Sequence, residues 1–169
     1  MSILDIRDLS IDFPTNKGVV HAVSDFSLTI EKGRRVGFIG ESGSGKTTTA
    51  LAAMRMLAAP GKVAKGEIRL QGLGQTDVLN LSDNEMRRVR LKRISYIPQG
   101  AMNSLNPVMR VENQIWDGIV AHEGREDQAE LLRRAEAVRA SVGLPAHVGR
   151  LYPRELSGGM KLRFCIAIG

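Results

Sequence analysis

A single cysteine, Cys165, is all the thiol chemistry this chain carries, so no disulfide can staple it internally. It sits in the apolar run Phe164–Ile168 and is read as a buried structural thiol. Long apolar runs are also missing. Val36–Ile39 and Thr49–Leu57 are interrupted within about a dozen residues, whereas a helix crossing a bilayer needs roughly 20 apolar residues. No segment is therefore expected to span a membrane. Acids arrive at once in Met1-Ser2-Ile3-Leu4-Asp5-Ile6-Arg7-Asp8, with no basic stretch leading into an apolar core. No secretory signal is read there, and a cytoplasmic protein is expected. Aromatic residues make up only 4% of the chain, and none interleaves the densest basic cluster, Arg87, Arg88, Arg90, Lys92 and Arg93. Although the net charge is +6 and the pI about 9.9, that cluster is read as a solvated face, and no nucleic-acid partner is expected.

What is present is enough apolar residue, 43% of 169, for one ordinary domain with a sizeable core. From Leu4 to Phe13 apolar residues alternate at period two with a register change around Asp8, which predicts a half-buried strand. Pro14 to Gly18 supplies turn residues, Val19–Val23 and Phe26–Ile30 predict further strands, and Glu31-Lys32-Gly33 a tight turn. Val36–Ile39 has the composition of a short strand buried on both faces. Helix is predicted over Lys46–Leu57, to be broken by Pro60-Gly61. Gly66–Leu70 predicts a strand, Asp83–Arg90 a short helix with an acidic start, and Ile94–Ile97 a strand ended by Pro98. Two helices follow, Val111–Val120 and Gln128–Val142, the second with Leu131, Leu132, Ala135 and Val138 near helical spacing.

Gly40-Glu41-Ser42-Gly43-Ser44-Gly45-Lys46-Thr47 matches the phosphate-binding pattern G-x-x-x-x-G-K-[ST], and Thr48 continues it into the predicted helix. The glycines let successive amides converge on phosphate oxygens. The helix N-terminus adds its dipole. Lys46 supplies a point charge, and the Thr47 hydroxyl can ligate the magnesium ion that travels with ATP.

A phosphate loop alone leaves kinases, GTPases, helicases and transporters open. Downstream, Leu156-Ser157-Gly158-Gly159-Met160 offers a second anion cradle, with Ser157 able to cap a helix through Ile168 and two glycines leaving amides accessible. It resembles the LSGGQ signature of ATP-binding cassette (ABC) proteins, with methionine where glutamine is usual. Ile94-Ser95-Tyr96-Ile97-Pro98-Gln99 is similar to the strand that leads into that family's Q-loop. Ser104-Leu105-Asn106-Pro107, Val108 to Val111, Gln114-Ile115 and Tyr152 to Met160 resemble the oligopeptide, dipeptide and nickel importer branch. Lys161-Leu162 departs from the usual Arg-Gln.

The resemblance implies an α/β fold of the P-loop NTPase, ABC cassette type: a mixed-sheet core, an antiparallel β subdomain and a helical subdomain. On that plan residues 1–100 form the nucleotide-binding core, 101–156 the helical subdomain and 157–169 the start of the signature helix. It implies that Gln99 contacts magnesium and the attacking water, and that Ser157, Gly158 and Gly159 cap the nucleotide of a second subunit paired head to tail. Phe13 falls where the family has an aromatic that stacks on adenine; a core Phe ending a strand is the other reading. Implied partners are the second ATPase subunit, integral membrane permease subunits and, indirectly, an external solute-binding protein, at the cytoplasmic face of the plasma membrane. The family's further elements, a strand ending in Asp-Glu with the catalytic base, a D-loop and a switch histidine, are not found in these residues, so the chain alone is expected to lack ATPase activity. A nucleotide-binding remnant without turnover and a soluble, non-transport cassette ATPase stay open as alternatives.

Overall fold

Apolar side chains occupy even positions through Ile6 and odd positions from Leu9, so a regular strand would turn one set outward. The computed structural model shows how the chain avoids this. It describes residues 2–74, 76–98, 100–123 and 127–169, in two compact units, Met1–Ile94 and Ser95–Gly169. In the first unit β1 (Ser2–Thr15), β2 (Gly18–Glu31) and β3 (Lys62–Leu70) form an antiparallel sheet of order β2-β1-β3. Asp8 takes φ 46, and the register of β1 shifts between Ile6 and Leu9 against β2 and between Arg7 and Ser10 against β3. This is a bulge. Ile6, Leu9 and Ile11 are thereby all buried on one face.

The neighbouring strands carry matching irregularities. Asp25 on β2 takes φ 47 and Gly66 on β3 φ 103. A Cβ on Gly66 would stand 2.6 Å from Arg7 O and from Leu9 Cα, so only glycine fits beside the bulge. Two serines hold the displaced amides: Asp8 N donates to Ser27 Oγ at 2.9 Å, and Asp25 N donates to Ser10 Oγ at 3.0 Å. A non-glycine residue in the left-handed region costs about 1–2 kcal/mol. Burying an aliphatic side chain contributes about 1.5–3 kcal/mol. Keeping both Leu9 and Ile11 inside outweighs the distortion.

Helix α1 (Lys46–Ala53) packs Ala52 and Ala53 into the core of this unit beside Ile68, Val78 and Met86. It stops short of Leu57 because the chain reverses at Arg55, φ 49. Helix α2 (Asp83–Val89) opens on a capping box: Glu85 N donates to Ser82 Oγ at 3.3 Å and Ser82 N to Glu85 Oε2 at 2.8 Å. Two strand expectations fail. Residues 34–40 form no strand, and Ile39 is 99% exposed. Of Ile94–Ile97 only Ile94 makes a bridge, with Arg90. A strand exists only where a neighbour pairs with it, and among the described residues none pairs with 36–39.

The second unit is helical. Helices α3 (Val111–Glu123), α4 (Gln128–Ser141) and α5 (Gly158–Ile168) surround Val111, Ile115, Ile119, Ala135, Phe164 and Cys165. Val111, Ile115 and Ile119 recur every fourth residue, which puts them on one stripe of α3. On α4 Ala135 is buried as the spacing predicts, but Leu132 remains 43% exposed. Cys165 is a buried free thiol, and burial raises its pKa.

Candidate nucleotide-binding site

Gly45 is the hinge on which the phosphate loop enters α1. It is the helix N-cap at φ 82, and it is buried. A Cβ there would meet Ala22 O at 2.7 Å and Val23 Cγ2 at 2.9 Å, so the loop lies against β2 only because position 45 has no side chain. From below, Thr49 anchors it, with N and Oγ1 donating to Gly45 O at 2.8 and 3.0 Å. Thr49 is buried, whereas Thr47 is exposed and Thr48 half-buried. The sequence treats the three threonines alike, but Thr49 shares helical spacing with the buried Ala52 and Ala53, and that spacing is the signal that distinguishes it.

Lys46 folds back over the loop. Its Nζ donates to Gly40 O at 2.8 Å, Glu41 O at 2.6 Å and Ser44 Oγ at 3.0 Å. All three acceptors are neutral, and among the described residues no carboxylate is within salt-bridge distance of Lys46. The ammonium is held in place without being neutralised, which suits it to a polyanion. Ser44 N donates to Glu41 O at 3.2 Å, closing the turn through Ser42 and Gly43, both exposed. Among the described residues no cluster of three His, Cys, Asp or Glu side chains is poised for a metal. The exposed hydroxyl of Thr47 at the start of α1 suits an ion that arrives with phosphates, as Mg²⁺ does.

Residues 157–159 lie in the second unit. Ser157 is the N-cap of α5, its Oγ accepting from Met160 N at 3.3 Å. Gly158 and Gly159 are exposed, and a Cβ on either would meet nothing within 4 Å. Leu156 is buried and fixes the turn from the other side. Phe13, at the end of β1, is half-buried with its ring against Gly61. Gln99 lies outside the described residues. Arg90, read from the sequence as part of a solvated basic face, is instead half-buried, and its guanidinium closes the far end of α1. Its partners, Met54 and Arg55, are 36 and 35 residues away, and no local pattern points to them.

Comparison with known proteins identifies the family. The ABC transporter family model matches residues 23–169. The oligopeptide transport ATP-binding protein OppD of Haemophilus influenzae is 39% identical over 98% of this chain and 50% of its own length. The dipeptide transport ATP-binding protein DppD of Lactococcus lactis is 34% identical over 98% of this chain and 47% of its own. The dimeric structure of a bacterial ABC transporter cassette superposes with a TM-score of 0.75 at 23% identity, covering 98% of this chain and 68% of that one. A P-loop on an antiparallel β unit, followed by a helical unit with a capped Ser-Gly-Gly turn, defines an ATP-binding cassette. The chain belongs to the ABC transporter family. It spans about half the length of the curated relatives it matches.

Proposed function

We propose that this chain is the nucleotide-binding part of an ATP-hydrolysing importer subunit serving peptides or a related small solute. The observation that carries the reading is Lys46, an un-neutralised cation held by Gly40 O, Glu41 O and Ser44 Oγ at the N-terminus of α1. The solute class rests on the names of the relatives. Lys46 orients the transferred phosphate and Gln99 the attacking water. Residues Gly40 to Thr48 hold the phosphates, with Thr47 and Gln99 the residues toward Mg²⁺, and Phe13 stacks on the adenine. Thr47 and Gln99 would hold Mg²⁺, which would supply charge neutralisation in a reaction that depends mainly on positioning.

Ser157, Gly158 and Gly159 cap the nucleotide of a second cassette, which makes ATP the bond between two head-to-tail subunits. Permease subunits convert closure of that pair into transport, with an external solute-binding protein delivering the solute. The subunit works at the cytoplasmic face of the membrane; among the described residues no helix is long and apolar enough to cross it. Residues 1–100 act as the nucleotide-binding core, 101–156 as the helical subdomain and 157–169 as the start of the signature helix.

Calorimetric titration of the full-length protein with Mg-ATP tests the reading. Lys46→Ala is expected to weaken binding by more than the about 1.5–3 kcal/mol of one hydrogen bond to a charged group, because a cation is lost as well. An unchanged dissociation constant would remove the assignment.

A further inference from the structure

Past α2 the chain makes a costly turn. Leu91 stands at φ 67, a left-handed conformation that costs a residue with a Cβ about 1–2 kcal/mol and persists only where its surroundings hold it. Two hydrogen bonds do so: Leu91 N donates to Ile94 O at 2.9 Å and Arg93 N to Val89 O at 2.8 Å. The turn brings Lys92 and Arg93 beside Arg88 at the rim of a cavity of about 380 Å³, floored by Leu73, Leu81 and Val89.

Three cations therefore face one carboxylate, Glu85, and that carboxylate is already engaged. Its Oε2 accepts from Ser82 Oγ at 2.7 Å and from Ser82 N at 2.8 Å. The hydroxyl first, then the amide, and last the charge of Arg88 hold its pKa below the ordinary value. Among the described residues no carboxylate stands within salt-bridge distance of Arg88, Lys92 or Arg93. Arg93 is also positioned by shape. Its guanidinium lies on Gly72, where a Cβ would stand 3.0 Å from Cζ and Nη1, and Gly72 itself takes φ 87. A strained turn that gathers Arg88, Lys92 and Arg93 around a concavity holding the single carboxylate Glu85, on which Arg88 already acts, leaves a net excess of positive charge there.

We infer that this cavity binds a phosphate group carried on a small, partly apolar body, through Arg88, Lys92 and Arg93. Guanidinium forks match phosphate oxygens in pairs and the lysine adds a point charge, while Leu73, Leu81 and Val89 take the body. No residue of the Gly40–Thr48 loop is used. The phosphate is borne either by a soluble phosphomonoester or by a phospholipid headgroup.

The test uses full-length protein carrying Lys46→Ala, so that the phosphate loop contributes less, and reads the site through the difference the variants below make. It is titrated calorimetrically with phenyl phosphate, and separately sedimented with phosphatidylcholine vesicles made with and without phosphatidic acid. Saturable phenyl phosphate binding that the triple variant lowers marks a soluble ligand; retention only on vesicles containing phosphatidic acid marks a headgroup. In either arm the triple variant Arg88→Ala/Lys92→Ala/Arg93→Ala is expected to weaken binding at least about tenfold, the loss that removing one charge-assisted bond produces. Gly72→Ala, which displaces Arg93, is expected to weaken it as well. Should Gly72→Ala fail to fold, the triple variant, whose changes are all at exposed positions, decides alone. Binding of neither probe, or binding that the triple variant leaves unchanged, overturns the assignment.

Discussion

Arg90 Nε donates to the main-chain oxygen of Met54 at 2.9 Å, and its Nη2 donates to that of Arg55 at 3.0 Å. The chain leaving an α-helix has carbonyls without partners in the helix; here a guanidinium from a later segment takes those of the two residues just past Ala53. Arg55 reciprocates, with Nη2 on Asp83 Oδ1 at 3.0 Å and Nη1 on Leu81 O. The helix that begins at Lys46 is thus tied down at its opposite end by α2 and the residues that lead into it. Arg90→Ala is expected to lower stability by about 2 kcal/mol, since it leaves two carbonyls short of a charged donor. Arg90→Lys should recover less than half of that, because an ammonium lacks the planar fork. Urea unfolding measures both, and an unchanged midpoint in Arg90→Ala would show that the tie carries no energy.

Gly45 and Gly158 look equivalent as letters but differ in surroundings. At Gly45, φ 82 combines with a main-chain oxygen 2.7 Å from any Cβ; at Gly158 there is nothing within 4 Å. Gly45→Ala is expected to destabilise the protein by more than the about 1–2 kcal/mol of the left-handed conformation alone, and to lose Mg-ATP binding in the full-length protein. Gly158→Ala should stay within about 0.5 kcal/mol of the parent. Thermal unfolding of the two variants side by side checks the contrast; equal losses would contradict it.

Acid should weaken the β unit through Asp5. Its carboxylate accepts from Thr29 Oγ1 at 2.8 Å and from Arg7 Nε at 2.8 Å, and Thr29 first, then Arg7, hold its pKa below the ordinary value. A carboxyl whose folded pKa is depressed contributes stability that is present above its unfolded value, near about pH 4, and is lost as pH falls through the folded value. Asp5→Asn is therefore expected to flatten stability against pH below about pH 4. Urea midpoints taken as the pH is lowered measure the slope, and a variant slope as steep as the parent's would rule Asp5 out as its source.

Ser157 separates two roles. Ser157→Ala removes the acceptor for Met160 N and should cost about 1 kcal/mol, the usual loss of a serine cap. On the proposed function, Ser157→Arg in the full-length protein leaves Mg-ATP binding to one subunit near the parent's value while abolishing ATP-driven dimerisation. Gel filtration with Mg-ATP decides it: a normal dimer peak from Ser157→Arg counts against the capping role.

The features read correctly from the sequence are those whose cause is local. The offset at Asp8 shows in the parity of Ile6 and Leu9, and the capped start of α5 shows in Ser157 ahead of two glycines, because a strand period and a helix cap each span only a few residues. Val36–Ile39 was different. Its hydropathy says that it favours cover but not which segment pairs with it, and Ile39 in fact lies 99% exposed. The predicted end of α1 at Leu57 failed for a related reason. Arg55 turns the chain, and what holds that turn, Arg90 and Asp83, lies far along the sequence. At the candidate site, spacing alone marked Gly40 to Thr47, whereas the anchoring of Gly45 by Thr49 required knowing which face of α1 is inward.

The coincidence of Asp8, Asp25 and Gly66 across three adjacent strands resembles a dislocation in a crystal more than three separate turns. Across that line all three rows are displaced together, and further register shifts follow on β1 between Leu9 and Asp12. Ser10 and Ser27 stitch its two reciprocal amides, while Gly66 gives the bulged row its clearance. Removing Asp8 alone would restore regularity to one row and throw it out of phase with both neighbours. The three sites are thus one mechanical unit: a length change in one strand puts it out of phase with its neighbours unless they change with it.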